Sequence, residues 1–163
     1  MKFVRWFVVL GILQLASWSQ SGAAYLEITG DILHPRTFQQ QEWKQLKHVT
    51  LSATNAHDKK TATFEGVPLL DLLQAAGLPS GENLRGKALA TSVIVAASDG
   101  YQVAFSIAEL DSSIGNHQVI VADREDGKAL PPNVGPLRLV APDDKRPARW
   151  VRMVKSIRVV ANP

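Results

Sequence analysis

From Tyr25 onward the chain alternates apolar and polar positions in short runs, most of them closed by glycine, proline or aspartate. Tyr25-Leu-Glu-Ile-Thr-Gly30 reads as a strand ended by glycine, and Asp31 to Arg36, containing His34-Pro35, as a turn. Thr37 can cap a short helix over Gln39 to Leu46, after which Val49-Thr-Leu-Ser-Ala53 alternates as a strand. Thr61 to Glu65 predicts a further strand leading into Gly66-Val-Pro-Leu-Leu-Asp-Leu-Leu-Gln-Ala-Ala-Gly77. Proline in its first turn, leucines at 69, 70, 72 and 73, and a glycine just past its end make that segment a buried helix. Ala88 to Ala97 predicts a long apolar strand, which Ser98-Asp99-Gly100 turns into Tyr101 to Phe105. Ser106-Ile-Ala-Glu109 spells a capping box and opens a short helix ending near Asp111. Val119 to Ala122 reads as a buried strand, Asp126-Gly127 as a hairpin turn, and Leu137 to Val140 as another strand. Val151 to Val160 predicts a turn and then a strand, with Val151, Met153, Ile157 and Val159 on one side. Many strands with three short helices, not alternating with them, give an α+β fold class.

The first two dozen residues follow a different rule. Lys2 and Arg5 precede an apolar run from Trp6 to Leu15, and Ser21-Gly-Ala-Ala24 supplies small residues for cleavage. Residues 1–24 are therefore expected to be a secretory signal peptide, and 25–163 a single domain with a periplasmic address. The alternative is an uncleaved anchor, against which the run is shorter than the ~20 residues of a spanning helix. Net charge is +3, of which Lys2 and Arg5 contribute two, so the predicted domain is nearly neutral. That balance argues against nucleic acid as a partner, because a nucleic-acid interface needs a strongly basic face. The chain has no cysteine, hence no disulfide and no thiol for a metal or a lipid. His34, His48, His57 and His117 lack metal-ligand spacing, and no Gly-x-Ser-x-Gly elbow or phosphate-cradling glycine loop is present.

The motif-rich region is Gly127-Lys-Ala-Leu-Pro-Pro-Asn133-Val-Gly-Pro-Leu-Arg138-Leu-Val-Ala-Pro142, followed by Arg149-Trp150. Together with Gly66-Val-Pro-Leu-Leu-Asp-Leu-Leu and Ser98-Asp-Gly-Tyr101, in that order, it resembles the oxidoreductase molybdopterin-binding domain of the sulfite oxidases and of the periplasmic methionine sulfoxide reductase catalytic subunit. The resemblance implies a sulfite oxidase-type fold of mixed, mostly-β sheets. It also implies that Asn133 and Arg138, five residues apart, contact a pterin or its phosphate, and that the loop from Lys145 through Trp150 helps to hold it. Where the family carries a molybdenum-ligating cysteine, this chain has Ser52-Ala-Thr-Asn55. No metal-bound cofactor is then expected. Cysteine-free stand-alone members imply instead a reduced pterin as ligand and no catalysis. They also imply a membrane-bound partner carrying cyclic-di-GMP synthase or phosphodiesterase domains.

A pterin is a flat bicycle with one guanine-like edge, so it needs a plane to stack on and acceptors for that edge. Trp150 and Arg149, then Tyr101, are the stacking candidates; Asp99, Asp143 and Asp144 are the acceptors; Asn55 borders the lost metal position; Arg146 can face the ligand. Each has a plainer alternative. Arg138 can pair with a surface carboxylate, Asn133 can be ordinary loop chemistry, Trp150 can be core, and Asp99-Gly100 can be a common turn. Arg146 and Arg149 can form a solvated or partner-docking face. Two other functions stay open: an oxidoreductase holding molybdenum through a pyranopterin dithiolene alone, and an interaction module with a vestigial pocket.

Overall fold

The computed structural model describes residues 23–161, so all but the last two residues of the expected leader lie outside it. Ten strands form two sheets. The first runs β2 (Arg36–Phe38), β1 (Leu26–Gly30), β10 (Val154–Val160), β5 (Ser92–Ala97), β6 (Gln102–Ser106). The second runs β3 (Val49–Asn55), β4 (Lys60–Pro68), β7 (Ile120–Glu125), with β8 (Lys128–Ala129) and β9 (Arg138–Val140) sharing the far side of β7. Every pairing is antiparallel except β1 with β10. One buried cluster draws apolar side chains from both sheets, among them Ile28, Val95 and Ile157 of the first and Phe64, Val121 and Leu139 of the second. Three short α-helices complete the α+β arrangement: α1 (Gln40–Trp43), α2 (Leu69–Ala75) and α3 (Ile107–Leu110). Among the described residues no helix is long and apolar enough to cross a membrane.

The predicted hairpin at Asp126-Gly127 joins β7 to β8 with both residues at positive φ, 50° and 72°. Ser106 caps α3, its hydroxyl accepting from the Ala108 amide at 3.2 Å while Glu109 accepts from the Ser106 amide at 3.1 Å. Four boundaries differ from the sequence reading, each because tertiary pairing overrides a local signal. Thr37 caps no helix: it lies in β2, whose Phe38 is buried opposite Leu26, and α1 starts only at Gln40. Gly66 to Pro68 continue β4 instead of opening α2, because β7 pairs with them through Pro68. Residues 86–90 form a 3-10 turn rather than strand, leaving Leu89 exposed. In the last strand Val154, not Met153, takes the buried place, since Met153 has φ 49° and the register shifts between Val154 and Ser156.

Asp111, at the end of α3, is only 1% exposed and ties the 3-10 turn at Gly81–Asn83 to the helix. Its carboxylate accepts from the Ser113 hydroxyl, from the Gly81 amide at 2.8 Å and from the Ser113 amide at 2.9 Å. The Ser113 hydroxyl first, then these amides, hold its pKa below the usual carboxylate value. A depressed folded value stabilises the protein above the ordinary value of about 3.9, and the contribution disappears as pH falls through the folded value. We therefore expect Asp111→Asn to be less stable at pH 7 and to show a shallower loss of stability below pH 4 than the parent. Thermal unfolding across pH 2–7 measures both; parallel curves for the two proteins would refute it.

Candidate functional site

Arg138 is a cation in a strand that is otherwise wholly apolar. Leu137, Leu139 and Val140 are fully buried, and Arg138 itself is 8% exposed. Pairing of β9 with β7 sets Arg138 opposite Ala122, leaving room for its guanidinium against the rings of Phe64, at 5.4 Å, and Trp150, at 5.3 Å. Those rings meet edge-to-face at 5.7 Å and 86°. Nη1 donates to Glu125 at 3.2 Å, whereas Nε is buried and has no hydrogen-bond partner. Burial above all pushes the guanidinium pKa down, with Arg152 adding to this and Glu125 and Asp58 opposing it. An unpaired buried donor costs about 1–3 kcal/mol, so Nε is a donor that a water or a ligand acceptor would satisfy.

Trp150 connects this buried corner to the surface. Its Nε1 donates to the Ala141 carbonyl at 2.8 Å, fixing the ring, and the residue is 6% exposed. Beside it lies a cleft of about 320 Å³ lined by Asp99, Tyr101, Ala148, Trp150, Val151 and Arg152 among others. The Asp99-Gly100 turn between β5 and β6 delivers the first two, with Asp99 accepting from the Tyr101 amide at 2.9 Å. The Tyr101 hydroxyl donates to the Ala148 carbonyl at 2.8 Å, bracing one wall against the other. The fold thus brings together Arg138, Trp150, Tyr101 and Asp99, which lie up to 51 positions apart in sequence.

The remaining candidates are placed around rather than within this group. Asn55 ends β3 and accepts from the His57 amide at 2.9 Å, closing the β3–β4 hairpin. Arg149 lies 4.1 Å from the Phe105 ring and is paired with Asp144 and, at 3.0 Å, with Glu109; the Asp144 hydrogen bond foremost raises its pKa. Asp143 accepts from the Gln118 amide at 3.0 Å. Arg146 is exposed at the start of the Pro147–Arg149 turn, and Asn133 is exposed on the loop between β8 and β9. Phe64, Glu125 and Arg152 were not singled out from sequence. Their only signal was indirect: Phe64 is the one aromatic residue in its strand, and Arg152 belongs to the basic C-terminal run. A larger cleft of about 810 Å³ near Leu33, Leu78 and Lys87 includes none of the candidate residues and is mainly apolar. The smaller one is preferred because Trp150, which lines it, packs against the Arg138 guanidinium.

Residues 19–163 match the oxidoreductase molybdopterin binding domain family. The chain belongs to that family. Its fold is similar to that of the sulfane dehydrogenase SoxCD from Paracoccus pantotrophus, with a TM-score of 0.65 at 19% identity over 84% of this chain. The match covers 38% of the SoxCD chain, so this chain spans well under half of its length. No curated protein matches the sequence. This molybdopterin-binding domain thus has a sulfite oxidase-type fold.

The residues fit one half of the cofactor the family name implies. A thiolate-ligated metal does not fit, because there is no cysteine in the chain. Among the described residues no three His, Cys, Asp or Glu side chains come together to hold a metal. The pterin half does fit, since the aromatic rings of Trp150 and Tyr101 and the Asp99 carboxylate border one cleft, with the Arg138 guanidinium packed on Trp150.

Proposed function

We propose that this molybdopterin-binding domain is a non-catalytic periplasmic protein that binds a reduced pterin and serves as ligand sensor for a membrane-bound signalling partner of the cyclic-di-GMP type. The buried, unpaired Nε of Arg138 beside Trp150 carries the reading, because it leaves one strong donor waiting for an acceptor. The cleft of about 320 Å³ is at the small end of ligand pockets, which run from about 300 Å³ upward, and suits a single bicycle. Trp150 and Tyr101 offer stacking surface, and Asp99 an acceptor for the amino-pyrimidinone edge. A chain without thiols has no thiolate ligand for molybdenum, which favours binding over oxygen-atom chemistry. Signalling follows if the bound and free forms present different surfaces to the partner, which requires the ligand to prefer one of them.

Anaerobic titration of the purified domain with 6-methyltetrahydropterin tests the reading. Residues 25–163 contain two tryptophans, Trp43 and Trp150, so Trp43→Phe leaves Trp150 as the reporter. Saturable quenching with Kd on the order of 100 μM or tighter is expected, that is, binding of at least about 5 kcal/mol. A linear, non-saturating response to 1 mM would overturn the proposal.

A further inference from the structure

The edges of the two sheets are unequally protected. In the first sheet β2 has only three residues, and at the other edge the Ala104 carbonyl of β6 accepts from Arg149 at 3.3 Å. In the second sheet β8 has two residues. β3 is different: it runs for seven residues, Val49 to Asn55, contains neither proline nor a charged side chain, and among the described residues pairs only with β4. Thr50, Ser52 and Thr54 point outward along it and are exposed. An uncharged edge of that length displays free backbone donors and acceptors that only another extended chain can satisfy.

Two further features say what kind of chain. A groove of about 440 Å³ opens beside the first half of β3, its walls mixing apolar Val49, Leu51 and Leu70 with polar Asp71, Gln74 and His117. The ends of the strand are basic, with Lys47 before it and Lys59 and Lys60 after it, against the single acid Asp58. Two copies of β3 laid antiparallel would bring these like charges together, which opposes self-pairing. We propose that the β3 edge is the docking site for an extended segment of a partner protein. That segment has an uncharged, β-branched centre, an amphipathic side chain for the mixed groove and acidic residues flanking it. Main-chain hydrogen bonds would supply the affinity and the groove and flanks the choice of partner. The inference is independent of the pterin reading, but the two are neighbours: β3 ends at Asn55, and Asp58 in the following turn acts electrostatically on Arg138.

A library of random nine-residue linear peptides displayed on phage, screened against the ligand-free domain, tests this. The enriched sequences should be uncharged and β-branched at the centre with aspartate or glutamate outside. The best of them should slow amide hydrogen exchange in β3. Ser52→Lys, at an exposed position, should weaken that peptide at least tenfold without lowering Tm, and Lys47→Glu/Lys59→Glu should reverse the preference to lysine-flanked peptides. No enrichment, enrichment unaffected by Ser52→Lys, or dimerisation of the parent through β3 would each overturn the proposal. Pterin titration of Lys47→Glu/Lys59→Glu is expected to match the parent, so failure of one proposal is readable apart from the other.

Discussion

Replacing Arg138 by alanine is expected to remove saturable pterin binding, with affinity at least thirtyfold weaker, and to lower the unfolding free energy by about 2 kcal/mol. The stability loss combines the cation–ring contacts with Phe64 and Trp150, about 1–2 kcal/mol when desolvated, with the cavity left between them. The ion pair with Glu125 adds little, because that carboxylate is 34% exposed and water replaces its partner. Arg138→Met separates the two roles. A buried charge exchanged for an apolar side chain of similar reach is often neutral for stability. Methionine should therefore restore most of the lost stability and none of the binding, since it has no donor. Arg138→Lys keeps the charge but not the planar fork that lies against two rings, and should bind with intermediate affinity. Urea unfolding and fluorescence titration of the three variants give the comparison. Parent-like binding by Arg138→Met would make Arg138 a structural cation and nothing more.

Gly66→Ala should severely damage the ligand-free fold, costing about 3 kcal/mol or more. A Cβ at Gly66 would lie 2.2 Å from the Val121 carbonyl oxygen and 2.5 Å from the Ala122 Cα. Both are backbone atoms of β7, so no side chain can swing aside, and the two strands would have to part. The position sits where the β4–β7 register shifts, between Glu65 and Gly66, and the same pairing holds Phe64 opposite Glu125. Opening it would displace the ring under Arg138 as well as weaken the sheet. A midpoint in urea within error of the parent would show that β7 can retreat at no cost.

The α+β class, the three helices and most strands are legible in the sequence because alternation and capping are local properties. The Ser106–Glu109 capping box and the Asp126-Gly127 hairpin need no distant partner to be recognised. Boundaries fail where a partner decides them. Gly66-Val-Pro68 has helix-start chemistry, yet β7 claims it as strand, and Thr37 has cap chemistry, yet β1 pairs with it. The site shows the same division. Arg138 and the loop reaching Trp150 became candidates through the family resemblance, and Asp99 and Tyr101 through the turn that carries them. That Phe64 forms the other side of the guanidinium's surroundings depends on the β3–β4–β7 register, which no window of a few residues contains. Arg149 reads as a binding residue by composition, but which carboxylates take its fork depends on the meeting of α3 with the Asp144 turn.

The parallel seam between β1 and β10 joins Glu27–Gly30 to Ser156–Val159, so the two ends of the domain are laced into the middle of one sheet. A chain emerging from its N-terminus cannot complete that sheet before nearly its whole length is present, and contacts of such sequence separation form slowly. The topology therefore postpones closure of the first sheet to the final strand.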